Sequence, residues 1–167
     1  NKPWLFQPGQ SGNPGGRPKG SKSLKTYVQE MLLSMTDEEK LEVRLDPELW
    51  FNTFAFLEDR KKTLRRADSA NNIQRQIFEA YRWCQENNQQ CNIIGLKSRK
   101  EGLSTGAAAL CYHHLANHTA QAVIIGTDLP TADTVVKMLL RYAEGDKFPW
   151  GTKIKHIPSR NEITFSH

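Results

Sequence analysis

Residues Leu96 to Thr105 read LKSRKEGLST, a set of side chains that could hold a phosphate. In the common phosphate-binding loop, G-x-x-x-x-G-K-[ST], backbone N–H groups cradle the oxygens. The lysine after the second glycine neutralises them, and the hydroxyl holds Mg²⁺. Gly102 fills the second glycine position, but Leu103 stands where the lysine belongs and Lys97 where the first glycine belongs. Lys97, Arg99 and Lys100 lie upstream, where the chain would curl around the phosphates, and any of them could point inward. The charge is displaced rather than absent. Ser104 and Thr105 supply the hydroxyls. A basic, glycine-containing turn with no ligand is the plainer alternative.

A phosphate cradle works only where a strand ends and a helix begins, because the unpaired amides and partial positive charge of the helix start face the anion. The surrounding sequence predicts such a junction. Asn92 to Leu96 is a short apolar run, best taken as a buried strand, and the Ala-rich stretch from Gly106 to about Asn117 is helical. Ala122 to Thr127 reads as a second buried strand and Pro130 to Glu144 as an amphipathic helix, with Asp128 as its cap. Strand, loop, helix, strand, helix is the pattern of a parallel sheet. Lys153–Ile157 and Glu162–Phe165 alternate apolar and polar residues around Pro158–Asn161, as a hairpin-like pair at a sheet edge would.

Upstream, Ser23 can cap a helix running to about Ser34, and Thr36 with Glu39 forms a capping box for a second. Asp46-Pro47 opens a third, with an apolar face of Leu49, Trp50, Phe54 and Leu57 and a basic end at Arg60–Lys62 and Arg65-Arg66. A fourth runs from Asn72 to about Asn88 on Ile73, Ile77, Tyr81 and Cys84. The first 23 residues differ in kind: Gly, Pro, Ser and Asn dominate, too little apolar surface to offset ordering, so they read as an extended arm.

The formal charge of the 167 residues is +5, from 23 basic and 18 acidic side chains. Lys2, Arg17, Lys19, Lys22 and Lys25 all precede the first acid, Glu30, so the positive excess sits in the arm. Arg17, Lys19, Lys22 and Lys25 are the candidate DNA contacts. Cys84, Cys91 and Cys111 lack metal-ligand spacing, and an odd count fits a reducing cytoplasm. The longest apolar runs are far short of the ~20 residues that cross a bilayer, so a soluble intracellular protein is expected.

Two motifs carry a resemblance. Lys97, Arg99, Gly102, Ser104 and Thr105 fill the pattern K-x-R-x-x-G-x-S-T, and Asn71, Gln74, Arg75 and Glu79 fill N-x-x-Q-R-x-x-x-E. Together they resemble the variant Walker A and the upstream glutamine segment of phage terminase large subunits, the ATPases that pump DNA into capsids. The likeness runs from about Asp46 to the C-terminus. The arm, with Phe6, Gly9, Gln10, Gly12, Asn13, Pro14, Gly16, Arg17, Pro18, Gly20 and Ser21, resembles a short domain of unknown function found near the N-termini of phage proteins.

The resemblance implies an α/β fold class: the start of a P-loop NTPase parallel sheet flanked by helices, behind a basic arm and a helical segment. The divisions expected are 1–23, 24–66 and 67–167. It implies ATP and Mg²⁺ as cofactors, with Gln74 on adenine, Lys97, Arg99, Gly102, Leu103, Ser104 and Thr105 around the phosphates, and the Ser104 hydroxyl on Mg²⁺. The implied partners are double-stranded phage DNA, the portal, the small terminase subunit and further copies in a ring, in the host bacterial cytoplasm and without a membrane.

Hydrolysis also needs a Walker B carboxylate and a catalytic Glu. No apolar run ends in Asp-Glu, so no catalytic residue is identified and the chain is expected to stop short of that strand. His113, His114 and His118 lack the carboxylate partner of a metal signature and read as helix-surface residues. Two other readings stay open: a non-enzymatic phage DNA-binding or adaptor protein with a vestigial loop, and a fragment of a helicase-like ATPase.

Overall fold

Helix starts follow the capping chemistry of the sequence. The structure is a computed structural model that describes residues 24–58, 64–67, 69–96, 101–146, 148–150, 153–157 and 162–166. Two units divide the chain, 1–34 and 35–167. The first contains α1 (Leu24–Ser34), whose last hydroxyl, Ser34 Oγ, donates to the Met31 carbonyl at 2.8 Å.

In the second unit, α2 (Asp37–Leu45) opens on the Thr36–Glu39 capping box, and α3 (Pro47–Phe54) opens on Asp46, which accepts from the N–H groups of Glu48 and Leu49. Pro47 sits at the first helical turn, where no N–H is needed. Asn71 caps α4 (Asn72–Glu86), and Asp128 caps α6 (Leu129–Gly145). Asp128 accepts from Thr131 N–H at 2.8 Å, and its bonds to Thr131 hold its carboxyl below the usual range. Between these lies α5 (Leu103–Asn117), which starts one turn ahead of the predicted Gly106.

The core gathers around α5, which packs against α3, α4 and α6. Trp50, Phe51, Phe54, Phe78, Tyr112 and Tyr142 are buried there, each side chain contributing about 1.5–3 kcal/mol for leaving water. At its centre Asp146 accepts three side-chain hydrogen bonds on Oδ2, from Trp50 Nε1 at 3.0 Å, Tyr112 OH at 3.1 Å and Trp150 Nε1 at 2.6 Å. Its Oδ1 takes Phe148 N–H at 2.8 Å. On the outer side, Arg82 of α4 bridges Asp46 at 2.7 Å and Glu48 at 3.0 Å, fastening α4 to the start of α3.

Among the described residues, which are mostly helical, the expected parallel sheet is not formed, and the α/β P-loop fold class is corrected by this finding. The strands among the described residues make two antiparallel pairs. Short β1 (Phe56–Glu58) pairs with β2 (Leu64–Arg66), and β3 (Lys153–Ile157) pairs with β4 (Glu162–Ser166). The second is the hairpin-like pair expected from the alternation, but among the described residues it stands alone rather than at the edge of a larger sheet. Residues 92–96 and 122–127, the two expected buried strands, form no strand and pair with none among the described residues, and Ile94, Leu96, Val123 and Ile125 are exposed.

A buried strand is stable only when neighbours take its backbone N–H and C=O groups and cover its faces. No described strand pairs with either segment. The end of α3 also differs from expectation: the helix stops at Phe54, and Arg65 and Arg66 lie in β2 instead of a basic helix end. Arg60, Lys61 and Lys62 lie outside the described residues.

Candidate functional site

The start of α5 is built from both sides. Gly102 takes the N-cap position with φ 80° and ψ 10°, the left-handed region that glycine enters without strain. From α4, Asn71 Nδ2 donates to the Glu101 carbonyl at 3.0 Å and Gln74 Nε2 to the Gly102 carbonyl at 3.3 Å. From α6, Tyr142 OH donates to the Thr105 carbonyl at 3.1 Å. A Cβ on Gly102 would come within 2.9 Å of both the Asn71 and Gln74 amide nitrogens. One on Gly106 would come within 3.0 Å of Gln74 Cγ, so the missing side chain lets the two helices close.

Asn71 and Gln74 also cap α4 reciprocally. Asn71 Oδ1 accepts from Gln74 N–H, and Gln74 Oε1 accepts from Asn71 N–H, both at 3.0 Å. Gln74 is 5% exposed, and both ends of its amide are spent within the protein. The donor and acceptor that would read an adenine edge are therefore already engaged.

Carbonyls are drawn to α4 and α6, while the first turn of α5 has no side-chain cap. Its leading N–H groups carry the helix's partial positive charge. Ser104 is exposed beside them and Thr105 half-buried. The side chain of Leu103 turns toward Gly95, into a cavity of about 500 Å³ between α4 and α5 that Ile77, Tyr81, Ala107 and His114 also line. A first turn of this kind can receive an anion at its leading amides, with the Ser104 hydroxyl alongside. Among the described residues there is no cluster of His, Cys, Asp and Glu able to hold a metal by itself.

The structure thus brings Gln74, Gly102, Leu103, Ser104 and Thr105 together at one helix start. Lys97, Arg99 and Lys100 lie outside the described residues, as do Arg17, Lys19 and Lys22; Lys25 lies in α1. His113 is not on the surface as expected. It is 3% exposed, and its Nε2 donates to the Val43 carbonyl at 3.2 Å. His114 Nδ1 meets Tyr81 OH at 2.8 Å, and its ring lies 4.7 Å from that of His118. Sequence reasoning missed the positioning roles of Asn71 and Tyr142. For Asn71 a signal was present, since N-x-x-Q is itself a capping-box pattern.

Among the described residues no helix is long and apolar enough to cross a membrane. A family of unknown function (DUF5681) matches residues 4–55, which span most of the arm and α1 to α3. No curated protein and no solved structure matches the chain at a significant level.

Proposed function

We propose that the chain is the ATP-binding portion of a phage terminase large subunit, and that the triphosphate is held at the start of α5. The observation that carries this reading is the uncapped first turn behind left-handed Gly102. The helices α2, α3, α4 and α6 each spend a side chain on their first turn, whereas α5 does not. Lys97, Arg99, Ser104 and Thr105 are the residue types that an anion there would require, at the spacing of the terminase loop.

Within this reading Ser104 offers its hydroxyl to Mg²⁺, the α5 amides hold phosphate oxygens, and Lys97 or Arg99 neutralises them. Gln74 acts as a positioning residue that holds Gly102 in place. The basic arm, with Arg17, Lys19, Lys22 and Lys25, meets double-stranded DNA. Portal, small subunit and further copies in a ring are the other partners of such a motor in the host bacterial cytoplasm.

Titration of labelled ATP with Mg²⁺ into the full chain tests this. A charge-assisted phosphate contact contributes ~1.5–3 kcal/mol, so losing the responsible cation should weaken binding about ten- to a hundredfold. Lys97→Ala is expected to show that loss and Arg99→Ala a smaller one. Equal binding by wild type, Lys97→Ala, Arg99→Ala and Ser104→Ala would refute the site.

A second reading, a non-enzymatic phage DNA-binding or adaptor protein, is favoured by one observation: the Gln74 amide is already consumed within the fold. DNA affinity with steep salt dependence and no ATP binding would select it.

A further inference from the structure

Three stripes of side chains enclose the cavity beside α5. Ile77, Tyr81 and Gln85 recur four apart along α4, and Leu103, Ala107, Cys111 and His114 follow helical spacing down one side of α5. The third stripe comes from the way α4 ends. Asn88 adopts φ 52°, a left-handed conformation that asparagine tolerates better than most residues. Gln89 N–H then donates to the Cys84 carbonyl at 2.8 Å and Asn88 N–H to the Gln85 carbonyl at 3.2 Å, the reversal that closes a helix behind a left-handed residue. Beyond that turn the alternate residues Cys91, Ile93 and Gly95 line the cavity, while Ile94 and Leu96 are exposed. Gly95 lies so close to α5 that a Cβ on it would meet Leu103 Cδ2 at 2.9 Å. The two helices are pinned where Gly106 meets Gln74 and where Tyr81 OH meets His114 Nδ1 at 2.8 Å. Ala107 fills little of the space between them, and about 500 Å³ remains.

The walls are apolar and uncharged. Ile77, Ile93, Leu103 and Leu110 supply hydrocarbon, and Cys91 and Cys111 supply polarisable sulfur. Among the described lining residues there is no Lys, Arg, Asp or Glu. Burial, and then nearby His118, lower the His114 pKa, so its imidazole is neutral at pH 7. An anionic guest would therefore find no cation there. The polar groups are the Gln85 amide and the Tyr81–His114 pair. Whichever member of that pair holds the shared proton, the phenol oxygen keeps a lone pair for a donor from a guest. Space of this size and lining, with a few polar groups at one place, is what small-molecule sites are made of.

We propose that this cavity binds a small, neutral aromatic molecule carrying one hydroxyl or N–H group, which donates to Tyr81 while the ring lies against Ile77, Ile93 and Leu110. A rigid ring is favoured over an aliphatic chain because it has no internal rotations to lose on entry. The site uses none of the leading amides of α5, so it stands or falls apart from the triphosphate reading.

Fluorescence titration of the full chain with 2-naphthol tests the proposal. Saturable binding of one molecule per chain is expected, and 2-naphthalenesulfonate, which carries a charge on the same ring system, should not compete. Tyr81→Phe should weaken 2-naphthol about two- to tenfold, the worth of one hydrogen bond, and leave naphthalene binding unchanged. Ala107 is exposed at the rim of the cavity, so Ala107→Leu should keep the circular dichroism of the wild type and reduce binding of both 2-naphthol and naphthalene. No saturable binding of 2-naphthol, or competition by the sulfonate at equal concentration, would overturn the proposal. Wild-type affinity for 2-naphthol in both Ala107→Leu and Tyr81→Phe would place the guest elsewhere and overturn it as well.

Discussion

The imidazole of His113 donates from Nε2 to the Val43 carbonyl at 3.2 Å, joining α5 to the last turn of α2. Its Nδ1 is buried without a hydrogen-bond partner among the described residues, so the ring is neutral with the proton on Nε2. Burial is the main cause that pushes its pKa from 6.5 down to about 4; nearby His118 and His114 lower it further, while the Val43 bond and Asp46 oppose this. An unfolded chain takes up a proton near pH 6.5 that the folded chain refuses until about pH 4. Stability should therefore fall as pH drops through that window, by about 3 kcal/mol. Denaturant midpoints at several pH values for wild type and His113→Gln would check this, since the substitution should flatten the slope. Equal slopes would assign the acid sensitivity to other groups.

Asp146 should act in the opposite direction. Burial raises its carboxyl, against the pull of its four donors. A raised carboxyl is most favourable to the fold below its unfolded value and loses that contribution as pH rises through the folded one. Asp146→Asn keeps the size but replaces one acceptor by a donor, setting an amide against either the indoles or Phe148 N–H. A loss of about 1–3 kcal/mol is expected at neutral pH, read by urea unfolding. An unchanged midpoint would mean that the donors find other partners.

Gln74→Ala distinguishes a positioning role from base recognition. Because the amide holds Asn71 N–H and the Gly102 carbonyl, its removal should weaken ATP and GTP alike in nucleotide titrations. A selective loss for ATP would show that the amide turns to the base.

Gly102→Ala and Gly102→Asn separate two costs. Asparagine tolerates a left-handed φ better than alanine, but both carry a Cβ that meets the Asn71 and Gln74 amides at 2.9 Å. If contact dominates, both variants should lose a similar ~1–3 kcal/mol in thermal unfolding. A much milder Gly102→Asn would point to backbone strain alone.

Deleting residues 1–25 removes five of the 23 basic side chains. If the arm meets DNA, duplex affinity should drop and the log–log salt slope should flatten by about 0.9 for each lost phosphate contact. An unchanged slope in filter-binding measurements would make the arm a spacer.

The parts of the fold legible in the sequence were those decided within about four residues. Thr36 with Glu39, Asp46-Pro47 and Asp128 all cap the helices they were read to cap, because donor and acceptor lie in the same turn. The expected strands failed because an apolar run such as Asn92–Leu96 states its own preference but not whether a neighbour exists to pair with it. The same limit hid the role of Gln74. Its helix was legible, but the carbonyl that its amide holds is 28 residues away. His113 was read as a surface residue because its partner, Val43, is 70 residues away.

The unpaired stretches at 92–96 and 122–127 bear on how the chain behaves at high concentration. Each sets exposed isoleucine, leucine or valine on backbone that pairs with no strand among the described residues, and neither contains a charged residue or proline that would discourage stacking between molecules. Colloidal stability then rests on the net charge of +5. Added salt should screen that repulsion and bring on light scattering at lower protein concentration, whereas a lysine at Ile94 and another at Val123 should delay it.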